Sequence, residues 1–179
     1  MNVQGLHHVA YRCQDAAETT DFYTRYLDLD FTVAIAENEV PSTGEFAPHI
    51  HIFFEMGDGS SVAFFELPES PDMKLDPNTP DWVQHLALRV DDMETLDRYK
   101  SRLQDGGHDV IGPIDHNFCQ SIYFFDPSGH RLELTVDTMT EDLRTQLADM
   151  AKPLLGEWSE TKRAPDVDLL LHANARDDG

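Results

Sequence analysis

The sequence predicts an α+β fold: paired βαβββ modules forming a curved mixed sheet, with helices outside and a metal-binding cup inside. Three observations predict it. The segments HVAYRC at 8–13 and HLALRV at 85–90 share a leading His, Ala two residues on and Arg four residues on. Each is followed by an acidic turn, an amphipathic helix and three strand-like runs. The interval from His85 to Glu133 is ten residues shorter than that from His8 to Glu66, and ENEVPSTGEFAP, rich in loop-forming residues, accounts for the excess.

In the first module the expected helix is Ala16 to Leu27, carrying Phe22, Tyr23 and Tyr26. The strands that follow are Phe31 to Ala36, His49 to Met56 and Ser61 to Leu67. In the second the helix is Met93 to Leu103, with Leu96, Tyr99 and Leu103. Its strands are His108 to Ile114, Gln120 to Phe125 and Arg131 to Val136, the last two joined by a turn at Asp126-Pro127-Ser128-Gly129. One such module leaves a sheet face and its edges bare, so two pair. The expected boundaries are 1–70, 71–137 and 138–179. In the last segment Thr138 and Glu141 have capping-box spacing, and Leu143, Leu147 and Met150 share a helical face until Pro153. Trp158 and Leu169-Leu170-Leu171 prefer burial, over the cup or on a second subunit, and the expected assembly is a homodimer.

Composition narrows the function classes. A net charge of -21 argues against nucleic acid, whose phosphates need a basic surface. With 40% hydrophobic residues the 179-residue chain can build a core, yet no apolar run reaches the length of a membrane span. Cys13 and Cys119 are the only cysteines, no CxxC occurs, and MNVQGLHHVAYRC does not read as a signal peptide. A reduced, cytoplasmic setting is expected.

Strand alternation places the candidate site. Val9, Tyr11 and Cys13 should meet the helix, which leaves His8, Ala10 and Arg12 facing the cup; the same reasoning turns His85 inward. On the last strand Leu132, Leu134 and Val136 pack outward, so Glu133 points in. Two imidazoles and one carboxylate suit a divalent metal and leave coordination positions open, as Fe(II) oxygen chemistry requires. Taken singly, each is as well explained as a hydrogen-bonded polar residue on a half-exposed sheet. Glu66 falls where Glu133 falls by interval and is either a fourth ligand or an edge-strand carboxylate.

Residues 5 to 137 resemble the vicinal oxygen chelate superfamily, which includes glyoxalase I, bleomycin and fosfomycin resistance proteins and extradiol ring-cleaving dioxygenases. LHHVAYRCQDAAETTDFYTRYLDL and QHLALRVDD look like its two metal-histidine strands. Within HNFCQSIYFFDPSGHRLEL, the positions His116, Ile122-Tyr123, Asp126-Pro127, Gly129 and Glu133 are similar to the extradiol pattern. The resemblance implies His8, His85 and Glu133 as ligands of Fe(II), with Mn(II), Ni(II) and Zn(II) as alternatives. It also implies His116 and Tyr123 as hydrogen-bond partners of a small aromatic, catechol-type substrate and dioxygen, in aromatic catabolism. The sequence departs from the pattern at Gly59-Ser60-Ser61, where a second pocket histidine is usual; His49 or His51 would substitute, and His51 is carried as the catalytic candidate. Two other readings remain open: a glyoxalase-I-like isomerase using His8, Glu66, His85 and Glu133 around Ni(II) or Zn(II), and a non-catalytic binding module.

Overall fold

The computed structural model describes residues 2–74 and 76–164. Its elements are β1 (His8–Cys13), α1 (Ala16–Leu27), β2 (Asp30–Glu39), β3 (Phe46–Glu55), β4 (Ser61–Glu66), β5 (Leu86–Val90), α2 (Met93–Asp105), β6 (Ile111–Asp115), β7 (Cys119–Phe125), β8 (Arg131–Asp137) and α3 (Glu141–Thr161). The βαβββ order therefore occurs twice. Each module forms a four-stranded sheet, ordered β1-β4-β3-β2 and β5-β8-β7-β6. In the first, β1 runs parallel to β4 while β4, β3 and β2 alternate in direction. Among the described residues no helix is long and apolar enough to cross a membrane.

Helix α1 matches its expected span because both ends are specified locally. The Asp15 carboxylate accepts from Glu18 N at 2.8 Å, and the helix stops at Asp28 in the left-handed region (φ 54°). Its buried stripe is Thr19, Phe22, Tyr23 and Leu27. The Tyr23 ring stacks on Phe54 (5.2 Å) and lies 4.9 Å from Phe64, so α1 is clamped to the β3–β4 face by aromatic contacts. Burying each such ring contributes on the order of 1.5–3 kcal/mol.

Three expectations change. The stretch 37–48 is not a loop: β2 and β3 lengthen into it, and only 40–45 turns, with Val40 N donating to Glu45 O at 2.8 Å. The ladder continues across an irregularity between Glu37 and Glu39, with Glu39 opposite Phe46, and Gly44 (φ 71°) lies in the turn that closes the hairpin. His108 leaves the strand assigned to it. Helix α2 runs on to Asp105, Gly107 ends it (φ 85°), and the His108 ring packs on Tyr26 at 4.6 Å. Finally, α3 is capped by Thr140, whose Oγ accepts from Leu143 N at 3.2 Å, because Thr138 N is already bonded to Phe118 O. The helix continues through Pro153, and none of its residues is buried, so Trp158 is not covered. Leu169, Leu170 and Leu171 lie outside the described residues.

Packing divides the chain differently from the repeat. One compact unit comprises the chain to Leu86 with Ser101–Asp109 and Phe124–Leu132; the other comprises Ala87–Lys100, Val110–Tyr123 and the chain from Glu133. In the first, the Asp126 turn is anchored from α1. Tyr23 donates its hydroxyl hydrogen to Asp126 Oδ2 at 3.0 Å, while Oδ1 accepts from Ser128 N and His130 N. Burial is the main cause that pushes the Asp126 carboxyl above its ordinary range and the Tyr23 phenol well above its own. In the second unit β6 and β7 pair with Ile111 opposite Tyr123 and an irregularity before Ile114. Gly112 sits there at φ 107°, and a Cβ on it would lie 2.5 Å from Ser121 O.

Candidate functional site

The first unit gathers histidines on one sheet face. Register places His8 beside Ser61, Ala10 beside Ala63 and Arg12 beside Phe65; His51 lies opposite Phe65 and Phe53 opposite Ala63. Partners in register share a face. His8, His51, Phe53 and Phe65 thus look out on the same side, away from the helix. The His8 ring is 6.2 Å from His51 and 5.5 Å from Phe53, and His51 stacks on Phe65 at 3.6 Å. His51 Nε2 is buried without a hydrogen-bond partner. Burial first, then His8 and His49, holds the His51 imidazole below its ordinary range, which favours the neutral base.

Of the two histidines offered by PHIHIFFE, the structure separates the roles. His49 Nδ1 lies 2.7 Å from Ala47 O and its Nε2 is 3.8 Å from Glu37, so both nitrogens have local partners. His51 is the one beside His8. Sequence reasoning misses His7, whose Nδ1 lies 2.7 Å from His8 Nδ1 and so constrains the His8 tautomer. The HH pair at 7–8 is the available signal.

The second unit brings together three expected residues. His116 Nε2 is 2.8 Å from the Tyr123 hydroxyl, and the Glu133 charge acts on the same phenol. Alternation on β7 puts Tyr123 with Ser121, and Ser121 Oγ donates to Thr135 Oγ1 at 2.9 Å, so Tyr123, Glu133 and Thr135 share one face. Glu133 is only 6% exposed, which makes this face drier than expected. Burial, followed by the Glu133 charge, raises the Tyr123 phenol above its ordinary range.

Glu66 requires a correction. It pairs with Cys13, on the helix side of the sheet, and its Oε2 accepts from Ala16 N at 2.7 Å. A carboxylate there satisfies an open donor at the start of α1 and complements the helix dipole. The true counterpart of Glu133 is Ala63. Ser61-Val62-Ala63-Phe64 and Arg131-Leu132-Glu133-Leu134 share one burial pattern, a half-buried residue followed by three buried ones. Matching the two intervals by length lets the variable hairpin absorb a three-residue error.

His85 stands one residue before β5. Its Nδ1 is 3.2 Å from Val83 O, and since a carbonyl only accepts, Nδ1 carries the hydrogen of that bond. It lines a cavity of about 510 Å³ with Tyr11, Tyr23, Phe125 and His130. Tyr11 belongs to the helix side of β1, its ring 5.0 Å from His130, so His85 and His8 have different surroundings. Among the described residues no three His, Cys, Asp or Glu side chains converge closely enough to hold a metal ion.

Residues 5–134 match the model of the Glyoxalase/Bleomycin resistance protein/Dioxygenase superfamily. A curated relative, "Putative ring-cleaving dioxygenase MhqA" of Bacillus subtilis (strain 168), is 28% identical over 142 residues, covering 76% of this chain and 42% of that protein. The chain thus spans less than half the length of that relative. Among solved structures, a glyoxylase/bleomycin resistance protein/dioxygenase domain from Frankia sp. EAN1pec superposes with a TM-score of 0.63 at 20% identity, covering 76% of this chain and 99% of that one. The fosfomycin resistance protein FosX of Listeria monocytogenes, in complex with Mn(II) and sulfate, gives 0.55 at 20% identity over 80% and 98%. At these identities the structural likeness speaks for the fold.

Proposed function

We propose that this chain, which belongs to the Glyoxalase/Bleomycin resistance protein/Dioxygenase superfamily, is a metal-dependent dioxygenase that opens the ring of a small catechol-type aromatic. The observation that carries the reading is the 2.8 Å hydrogen bond between His116 Nε2 and the Tyr123 hydroxyl. His116 and Tyr123 set the ring-cleaving pattern apart, whereas Glu133 is shared by the isomerase reading. The 28% identical relative named as a ring-cleaving dioxygenase supports the same direction.

The donor types suit a divalent ion: His8 and His85 offer imidazoles, and Glu133 offers a carboxylate that is only 6% exposed. The orphaned His51 Nε2 adds a buried polar atom on the His8 face. In this proposal His8, His85 and Glu133 would hold Fe(II), which supplies open coordination positions and one-electron chemistry. The chain's residues supply the rest. Tyr123 and His116 present a hydroxyl and an imidazole to substrate oxygens. His51, kept neutral by burial, accepts a proton. Phe53 and Phe65 flank it with apolar surface that limits water.

The isomerase reading needs Glu66 as a second carboxylate ligand. With Glu66 on the helix side and bonded to Ala16 N, one carboxylate remains, as ring cleavage requires. The test is anaerobic loading with Fe(II), followed by oxygen uptake with a panel of catechols. The expected result is uptake matched by ring-opened product with at least one of them. Metal-loaded protein that ignores every catechol yet isomerises a glutathione hemithioacetal would reverse the assignment.

A further inference from the structure

We infer that Arg12 is a specificity-determining residue that takes a carboxylate on the substrate, so that the ring opened here carries a short acidic arm. The inference rests on the proposed function only for the place of the reacting oxygens, at the His8 end of the face; the anion site itself follows from one sheet. Strand pairing lays that face out in rows. Arg12, Phe65, His51 and Ile35 form one row, Ala10, Ala63, Phe53 and Val33 the next, and His8, Ser61 and Glu55 the third. All of them lie in the first compact unit. Arg12 is the only arginine or lysine in these rows, and no acidic residue shares its row.

Arg12 Nη2 donates to Pro71 O at 2.6 Å, which fixes the guanidinium, while its Nε is buried without a hydrogen-bond partner among the described residues. No carboxylate of the described residues pairs with it. A buried donor left unmatched is destabilising, the more so on a charged group. His51 Nε2, also buried and unmatched, stands in the same row across Phe65. Two unmatched nitrogens in one row, on a face where His8 and Ala10 are exposed, point to a ligand. The guanidinium is a planar fork of N–H donors, always charged, and matches the two oxygens of a carboxylate. A single positive charge in a chain of net charge -21 balances a monoanion and not a phosphate dianion. Between Arg12 and His8 the floor is Ala10 and Ala63 with Phe53 beside them, a surface for a flat apolar ring. The two ends stand about 13 Å apart along β1. A ring held at its hydroxyl oxygens beside His8 reaches Arg12 when a short arm ends in the carboxylate.

Two measurements test this. The first is metal-free: phenylacetate, a ring with an acidic arm and no hydroxyls, is titrated into the protein and followed at the Arg12 Nε–H NMR resonance. Phenylacetamide is its neutral counterpart. The expected result is saturable binding of phenylacetate with a shifted Nε–H, about 10-fold or more tighter than the amide. Arg12→Gln should remove that preference, and Arg12→Lys, which keeps the charge without the fork, should restore part of it. No binding of the acid, equal affinity for acid and amide, or a preference kept in Arg12→Gln overturns the site. A role confined to holding Pro71 would lower the stability of Arg12→Gln and leave the preference in place. The second measurement compares kcat/KM of the Fe(II)-loaded protein for dihydroxyphenylacetate and methylcatechol. The wild type should favour the acid about 10-fold or more, through KM, and Arg12→Gln should level the two. Equal turnover of both by the wild type, unchanged in Arg12→Gln, sinks the Arg12 assignment and leaves ring cleavage standing. Phenylacetate bound through Arg12 by a protein that opens no catechol supports the anion site and sinks ring cleavage instead.

Discussion

The two modules share one topology and differ at one register position that matters. On β4 the third residue is Ala63, fully buried; on β8 it is Glu133, buried and close enough for its charge to act on Tyr123. Around that position the apolar residues are alike: Val62 and Phe64 in one strand, Leu132 and Leu134 in the other, all buried. The comparison teaches that the helix-facing side of such a strand carries the fold, while the opposite side is free to carry chemistry. The first module uses that side for histidines and aromatic surface, the second for a buried carboxylate.

The sharpest way to break the comparison is to exchange the two residues. Ala63→Glu buries a carboxylate with no Tyr123 to receive it, so a loss of about 3–5 kcal/mol is expected in denaturant unfolding. Glu133→Ala should instead keep a cooperative fold while removing the proposed metal binding and ring cleavage. If Ala63→Glu is as stable as the wild type, the difference between the two faces has been misjudged.

A smaller effect is expected at the anchor of the Asp126 turn. Tyr23→Phe leaves Asp126 Oδ2 without its buried donor and should cost about 1–3 kcal/mol, with little change in metal affinity. The pH dependence there has a definite sign. Burial raises the Asp126 carboxyl, so above the ordinary carboxylate value the folded protein still holds a proton that the unfolded chain has released. Its contribution is fully present below that value and is lost as pH rises through the raised one. The stability of the wild type relative to Asp126→Asn should therefore fall as pH climbs from about 4. A difference that rises over that range would show that hydrogen bonds to the charged form outweigh burial.

Local signals make much of the molecule legible in its sequence. The α1 limits follow from Asp15, the apolar spacing and Asp28. The faces of His8, Tyr123 and Glu133 follow from strict alternation. What misleads is everything that depends on register across strands. Glu66 matches Glu133 by count but not by pairing, because interval length says nothing about where hairpin residues are absorbed. The β2–β3 extension and the departure of His108 are likewise set by partners: a neighbouring strand in one case, the Phe22 and Tyr26 rings in the other. His116 and Tyr123 are visible in the sequence as two residues, but their hydrogen bond comes from the fold that brings them together.

The central claim is that β8 provides the one carboxylate of the site and β4 provides none. Its most direct test measures Fe(II) content and catechol-dependent oxygen uptake side by side on the wild type, Glu66→Gln and Glu133→Gln. The account predicts that Glu66→Gln matches the wild type in both, with at most about 1 kcal/mol lost from the α1 contact, and that Glu133→Gln loses both. Loss of metal in Glu66→Gln with retention in Glu133→Gln would contradict it.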